Sequence, residues 1–114
     1  MSELRRGDVW RVCSDPTIGS ETRKTRPCVI VQRDAANATS PVTIICPMTD
    51  ARGGRVNVLN VSVAARQGGL DKESLVACNQ VRVVDRSRLR ERLGTLLPET
   101  MQAIDRGLRA ILDL

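Results

Sequence analysis

The chain has 114 residues, 41% hydrophobic and 27% charged, a composition typical of a single globular domain with its own core. This composition excludes a disordered chain, and no apolar run approaches the roughly 18 residues that a membrane-spanning helix needs. The net charge of +5 favours a polyanionic partner such as nucleic acid. The charged N-terminus lacks the apolar stretch of a secretory signal, so we expect a cytoplasmic location and no membrane partner.

Absent residue types limit the chemistry. The sequence contains no histidine, which removes the commonest general acid or base and excludes a Cys/His zinc site. Its four cysteines are widely spaced among apolar residues, and we expect them to be reduced and buried. Trp10 is the only aromatic residue, so we expect it in the core rather than in a platform that stacks bases. We predict neither a metal nor a cofactor.

The first half of the chain predicts strands separated by polar loops. Residues 7–13 alternate apolar and polar side chains, as a half-buried strand does. Residues 14–25, which are polar and contain proline and glycine, predict a loop. Residues 27–32 and 42–48 are apolar and β-branched, and we expect two buried strands joined by a loop over residues 34–41.

The second half predicts shorter strands and one helix. Residues 50–54 suggest a turn, and residues 56–63 a strand whose alternation slips once. Residues 74–84 predict either one long strand or two strands bent around Asn79-Gln80, and residues 86–92 a short helix or turn. After Pro98, apolar residues recur at helical spacing, which predicts an amphipathic helix: Met101, Ile104, Leu108, Ile111 and Leu112.

Many short strands followed by one helix indicate a mainly β (α+β) fold. Because strands and helices do not alternate, a doubly wound parallel sheet is not expected. We predict one domain over residues 1–114, built as a small, strongly bent antiparallel barrel with a C-terminal amphipathic helix.

The loop between the two buried strands suggests where the chemistry lies. A hairpin centred between residues 37 and 38 would place Arg26 opposite Thr49 at its open end. Arginine carries a permanent charge in a planar fork that fits phosphate oxygens, and Pro27 biases Arg26 to an extended backbone. With the Thr49 hydroxyl, this group could hold a phosphodiester and stabilise added charge at phosphorus. On spacing alone, the pair could equally be a surface arginine and a turn threonine.

Seven short motifs then occur in order: Arg6-Gly7-Asp8-Val9-Trp10, Asp15-Pro16 with Gly19-Ser20-Glu21, Thr25-Arg26-Pro27, Pro47-Met48-Thr49, residues 69–74 (GLDKES), Asn79-Gln80-Val81-Arg82 and the tail over residues 93–112. Each motif is weak alone. In this order and spacing, the chain resembles the MazF/PemK family of toxin endoribonucleases of type II toxin–antitoxin systems over essentially its whole length.

The resemblance implies an SH3-like barrel that forms a homodimer and cleaves single-stranded RNA (mRNA) at short sequences without a metal. A cognate antitoxin with an acidic segment would hold it inactive. The family's catalytic arginine and threonine correspond to Arg26 and Thr49, and its loop serine and glutamate to Ser20 and Glu21. The position before Gln80 is often acidic in the family but is asparagine here, a departure that concerns RNA sequence preference.

This resemblance leads to a concrete mechanism. The 2′-hydroxyl attacks the adjacent phosphorus and leaves a 2′,3′-cyclic phosphate and a free 5′-hydroxyl. Arg26 would bind the scissile phosphate and Thr49 would donate a hydrogen bond to a phosphoryl oxygen. Arginine stays protonated and is a poor base, so Glu21 is the candidate general base; the alternative is a solvated loop carboxylate.

The remaining polar residues divide into two groups. Seven could contact the RNA: Ser20, Arg23, Lys24, Arg52, Arg55, Asn79 and Gln80. Five arginines further along are expected on a solvated face: Arg82, Arg86, Arg88, Arg90 and Arg92.

Two other functions compete with this interpretation. A non-enzymatic toxin resembling CcdB, which binds a topoisomerase, would share the barrel without needing Arg26 or Thr49. That class has a Trp-containing C-terminal tail, whereas this chain ends Leu112-Asp113-Leu114. A plain RNA-binding barrel is the third candidate, and the scarcity of aromatic residues counts against it.

Overall fold

The computed structural model describes residues 3–13 and 25–114. Seven strands and two α-helices make up this part of the chain: β1 (Asp8–Cys13), β2 (Thr25–Ile30), α1 (Asp34–Asn37), β3 (Val42–Asp50), β4 (Asn60–Val63), β5 (Ser74–Ala77), β6 (Arg82–Asp85), β7 (Leu89–Thr95) and α2 (Pro98–Leu112). Three short 3-10 turns lie between them, at Gln67–Gly69, Cys78–Gln80 and Arg86–Arg88.

All described strand pairs are antiparallel, in the order β4-β5-β3-β2-β1-β7, and β6 pairs with β3. The bend comes from β3, which exchanges partners along its length. Its first part pairs with β6, its middle with β2, and its last three residues with β5. The predicted mainly β fold with a bent antiparallel sheet and a C-terminal helix is therefore confirmed. In the described chain the sheet is not closed, since its ordered path ends at β4 and β7.

Two apolar clusters form the core on opposite sides of β2 and β3. The larger lies beneath α2 and includes Val29 and Cys46, together with Met101 and Ile104 of the helix. The smaller surrounds Trp10. As expected, Trp10 is buried, and so are all four cysteines. Of the described helices, none is long and apolar enough to cross a membrane.

Gly107 lies inside α2, and close packing rather than helix propensity explains why this position is a glycine. Glycine inside a helix costs about 1 kcal/mol relative to alanine. A Cβ at this position would lie 2.6 Å from the Cys78 sulfur and 2.6 Å from the Val58 carbonyl oxygen. The glycine therefore allows the helix to approach the Cys78–Gln80 turn closely.

The segment between β2 and β3 was predicted as a loop, but it contains the short helix α1 over residues 34–37. The cause is the buried side chain of Asn37, whose amide nitrogen donates to the Gln32 carbonyl at 2.9 Å. Its amide oxygen accepts from Gln32 Nε2 at 2.9 Å and from the Thr43 hydroxyl at 2.8 Å. The sequence showed no apolar periodicity here because a polar side chain organises the segment.

Three further predictions of secondary structure had different outcomes. Residues 74–84 form two strands around the Cys78–Gln80 turn, which was one of the two expectations. The strand expected over residues 56–63 begins only at Asn60. The helix or turn expected over residues 86–92 is wrong beyond Arg88, because β7 begins at Leu89 and pairs with β1. This strand is rich in charged side chains, as is common at a sheet edge, and shows little apolar alternation.

Candidate active site

The β2–β3 hairpin has the predicted register. The pairs Cys28–Pro47, Val29–Cys46 and Ile30–Ile45 belong to a hairpin centred between residues 37 and 38. Extending this register by two residues would place Arg26 opposite Thr49. The ladder stops at Cys28–Pro47 because β3 pairs with β5 from Met48 onward. Arg26 and Thr49 therefore lie at the same open end of the hairpin, and both are exposed.

Arg26 lines a small cavity of about 110 Å³, here called the arginine pocket. Its polar lining residues are Arg26, Arg82 and Gln80. Its remaining lining residues form a mainly apolar floor: Val12, Cys28, Ile45, Pro47 and Val84. The described lining of the pocket thus combines two arginines and one glutamine with a mainly apolar floor.

Cys28 contributes no charge to the arginine pocket. Burial raises the pKa of its thiol to about 12, although Arg26 and Arg82 both act in the opposite direction. The sulfur is 3.6 Å from the Arg26 carbonyl oxygen, to which it can donate a weak hydrogen bond. At neutral pH the thiol is protonated, and the two arginines determine the charge of the pocket.

Thr49 lines a second and wider cavity of about 320 Å³, here called the threonine pocket. Its other lining residues carry charges of both signs or are apolar: Arg11, Pro27, Met48, Asp50, Gly69, Leu70, Asp71, Lys72, Ser74 and Leu93. The backbone N–H of Arg52, 2.9 Å from Asp50, and the charges of Arg52 and Lys72 lower the pKa of Asp50 below its ordinary value. Asp50 is therefore a carboxylate at neutral pH.

The two pockets are neighbours along the chain. Arg26 lines the first and Pro27 the second, while Pro47 lines the first and Met48 and Thr49 the second. Among the described lining residues, the charged side chains of the first cavity are all cationic, whereas those of the second carry both signs.

Several predicted site residues lie elsewhere. Ser20, Glu21, Arg23 and Lys24 lie outside the described residues. Arg55 and Asn79 are exposed, and Gln80 lines the arginine pocket. The predicted RNA contact Arg52 is exposed but forms an ion pair, its Nε lying 3.1 Å from an Asp50 carboxylate oxygen.

Of the five arginines expected on a solvated face, Arg82, Arg90 and Arg92 are exposed, whereas Arg86 and Arg88 are partly buried. Arg82 lines the arginine pocket, Arg86 donates to the Asn37 carbonyl, and Arg92 Nε lies 3.4 Å from a carboxylate oxygen of buried Asp8. A sequence signal for Arg82 existed, because a strand through Arg82 and buried Val84 places both on one face. No group of three or more Cys, Asp or Glu in residues 3–13 and 25–114 is arranged to hold a metal ion.

Comparisons with known proteins agree with this architecture. Residues 5–112 match the family model described as PemK-like, MazF-like toxin of type II toxin-antitoxin system. The endoribonuclease MazF of Staphylococcus epidermidis is 35% identical over 111 residues, which cover 97% of this chain and 92% of that protein.

Two solved structures share the fold. The crystal structure of MazE-MazF from Deinococcus radiodurans has a TM-score of 0.83 at 21% identity and covers 100% of this chain and 99% of that chain. An endoribonuclease in complex with its cognate antitoxin, from a mycobacterial species, has a TM-score of 0.76 at 23% identity. The match covers 100% of this chain and 97% of that chain. At these identities the structural likeness shows the fold alone.

Proposed function

Because the chain belongs to the family of PemK-like, MazF-like toxins of type II toxin–antitoxin systems, we propose that it is a sequence-selective endoribonuclease that cleaves single-stranded RNA. The relative from Staphylococcus epidermidis is an endoribonuclease, which supports this activity. A fold by itself does not carry a function, so the proposal depends on the site. Its main structural support is the hairpin register, which brings Arg26 and Thr49 to one open end.

We propose a reaction in which the substrate supplies its own nucleophile. The 2′-hydroxyl attacks the adjacent phosphorus, the bond to the 5′-oxygen breaks, and the products are a 2′,3′-cyclic phosphate and a 5′-hydroxyl. Neither a water nor a metal is required as nucleophile or activator. Arg26 binds the scissile phosphate and stabilises the charge that develops at phosphorus, and Thr49 donates a hydrogen bond to a phosphoryl oxygen.

Glu21 is the proposed base that accepts the proton of the 2′-hydroxyl, since arginine stays protonated. The proton that the leaving 5′-oxygen needs comes from water. A Glu21→Gln variant should lose the acidic limb of the pH–rate profile along with most of its rate. An unchanged profile in this variant would assign the base to another group.

The proposed RNA path extends from this site over residues on the neighbouring loops and the Cys78–Gln80 turn. Gln80 is well placed to contact the RNA, since it lines the arginine pocket. The other proposed contacts are Ser20, Arg23, Lys24, Arg52, Arg55 and Asn79. Arg52 must exchange its ion pair with Asp50 for a phosphate, so we expect its contribution to be small.

We further propose a homodimer whose RNA groove also binds an antitoxin. Of the solved structures with this fold, one is an endoribonuclease in complex with its cognate antitoxin and another is MazE-MazF. A groove lined by arginine and lysine would attract an acidic segment, and apolar side chains of that segment would fill the spaces between the charges. RNA affinity should fall steeply with salt, and antitoxin affinity less, because part of it is apolar burial.

A titration tests the shared groove. The protein is mixed with its antitoxin peptide in the presence of an RNA that 2′-O-methylation makes uncleavable. Competition supports the model, whereas simultaneous binding with unchanged affinities contradicts it. Sedimentation that shows only monomer at micromolar concentration would remove the dimer from the proposal.

The activity itself is tested with a long RNA in the presence of EDTA. Discrete fragments, mapped by primer extension, would establish both the cleavage and the sequence preference. Absence of cleavage together with binding to a topoisomerase would select the alternative of a CcdB-like toxin, which the comparisons above do not support.

A further inference from the structure

We propose that Arg82 is a second phosphate-binding residue of this site, which holds a non-bridging oxygen of the same phosphate that Arg26 binds. This inference rests on the proposed RNA cleavage and deepens it. It assigns a role to a residue that the sequence pattern placed on a solvated face.

The strand pairing places the two arginines on one face of the sheet. Arg82 of β6 pairs with Ile45 of β3, and Ile45 pairs on its other side with Ile30 of β2. Directly opposed residues lie on the same face, and so do residues two apart in a strand. Arg26 lies four residues before Ile30 and therefore shares this face. Both residues line the arginine pocket, and the charges of both act on the thiol of Cys28, which also lines it.

Neither arginine is neutralised by the described protein. Arg26 and Arg82 form no ion pair with residues 3–13 or 25–114, and none of the residues in these ranges that line the pocket carries a carboxylate. In the same part of the chain, the arginines with acidic partners are Arg5, Arg6, Arg11, Arg52 and Arg92. Two unpaired cations at one cavity repel each other, and an anion between them would relieve this repulsion.

The size of the pocket selects the class of anion. The arginine pocket, with a volume of about 110 Å³, is much smaller than the threonine pocket, with about 320 Å³. It therefore accepts a single phosphoryl group rather than a whole nucleotide. Two guanidinium forks above an apolar floor match a tetrahedral phosphate with two non-bridging oxygens. A phosphodiester is favoured over an antitoxin carboxylate because Thr49, the proposed phosphoryl donor, lies at the same hairpin end.

Three variants test the role of Arg82. Arg82→Ala removes the charge, Arg82→Lys keeps the charge without the fork, and Arg33→Ala is the matched control. Arg33 is also exposed and makes no ion pair with the described residues, but it lies at the opposite end of the hairpin. Single-turnover cleavage is measured on the RNA mapped for the wild type, and affinity is measured on its 2′-O-methyl analogue as a function of salt.

We expect Arg82→Ala to cleave about 10- to 100-fold more slowly, the loss of one charge-assisted hydrogen bond. The slope of log affinity against log salt should decrease by about 0.7, the value for one phosphate contact on a single strand. Arg82→Lys should keep the wild-type slope and recover part of the rate. Arg33→Ala should match the wild type in both measurements.

A direct binding measurement covers the case in which Arg82→Ala folds poorly. Inorganic phosphate is titrated into the wild-type protein, and the side-chain Nε–H resonances of Arg26, Arg82 and Arg33 are followed. Shifts of the first two without the third support the proposal. Shifts of Arg26 alone overturn it.

The outcomes separate the two proposals. If the wild type does not cleave RNA, the proposed function fails. If the wild type cleaves and a folded Arg82→Ala variant matches it in rate and salt slope, only the role of Arg82 is refuted. If Arg82→Ala weakens antitoxin binding but leaves RNA cleavage and affinity unchanged, the pocket holds a protein carboxylate and the proposal is overturned.

Discussion

The two pockets at the end of the β2–β3 hairpin differ in how their charges are compensated. In the threonine pocket, Arg11 lies 3.2 Å from Glu91 and Lys72 lies 3.8 Å from Asp50, so both cations have acidic partners. In the arginine pocket, Arg26 and Arg82 have none among the described residues. The smaller cavity is therefore the stronger anion site. Cavity volume alone would have favoured the threonine pocket, which is the larger of the two.

This contrast suggests a division of labour at the reacting phosphate. In the proposed reaction, Arg26 and Arg82, which have no ion-pair partner among the described residues, would supply charge from one side, and the Thr49 hydroxyl would supply a directed donor from the other. Exposed ion pairs contribute little to stability, and cations already paired gain less from a phosphate than unpaired ones. Substitutions in the arginine pocket should therefore have larger effects than substitutions of the charges in the threonine pocket.

The largest effect should follow Arg26→Ala. Losing a main donor to the transition state should lower the cleavage rate by about 10² to 10³. The side chain is exposed, so we expect the fold to survive, which circular dichroism and thermal melting can verify. Near-wild-type cleavage by the folded variant would remove the arginine pocket from the mechanism.

Thr49→Val should have the next largest effect. The substitution keeps the shape of the side chain and removes only the hydroxyl. We expect turnover to fall about 10- to 100-fold with little change in RNA affinity, because the bond should matter mostly in the transition state. Rate and affinity are measured separately, on cleavable RNA and on its 2′-O-methyl analogue. If both weaken equally, Thr49 is a uniform binding contact.

Asp50→Asn should have a small effect, and it should strengthen RNA binding, whereas the two substitutions above weaken cleavage. The nearby N–H and cations lower the pKa of Asp50, so the wild-type carboxylate repels phosphates throughout the neutral range. Removing this charge and releasing Lys72 and Arg52 should tighten RNA binding by a few-fold at low salt, a gain that added salt screens. In the wild type, affinity should rise only at acidic pH, below the ordinary range for aspartate. Weaker binding by Asp50→Asn would indicate that the carboxylate itself contacts the RNA.

Cys28→Ala should have the smallest effect on cleavage, because the thiol is neutral at working pH. Its influence should appear in stability at alkaline pH. Burial raises the pKa of Cys28 from 9.0 to about 12, so the folded state holds the proton more tightly than the unfolded state. The stability that the protonated Cys28 thiol contributes to the folded state is fully present below about pH 9 and is lost as the pH rises toward 12. The variant should therefore lose less stability over this interval in denaturant titrations; an identical decline would contradict the assignment.

Some elements of the fold could be predicted from the sequence and others could not, and the difference has physical causes. The β2–β3 register was predictable because two β-branched apolar runs flank a short polar loop. Helix α2 was predictable from strong apolar periodicity. Strand β7 was not, since Arg90, Glu91 and Arg92 give it no apolar face and its formation depends on pairing with β1.

The site shows the same division. The position of Arg26 and Thr49 at one end of the hairpin could be predicted because it follows from the local register of the hairpin. Strand alternation places Arg82 on the same face as buried Val84, but its position in the pocket depends on β6 pairing with the first part of β3, which no local pattern shows. The role of Gly107 also required tertiary structure, because the atoms that approach it belong to Val58 and Cys78.

The central claim is that cleavage uses the 2′-hydroxyl of the RNA and the guanidinium groups of the arginine pocket. The most direct test is end-group analysis of the fragments produced in the presence of EDTA. We expect 5′ ends that polynucleotide kinase labels without prior phosphatase treatment. We also expect 3′ ends whose mass is one water less than that of a 3′-phosphate, as a 2′,3′-cyclic phosphate requires. Fragments with 5′-phosphate and 3′-hydroxyl ends would contradict it, because they require an external water as nucleophile.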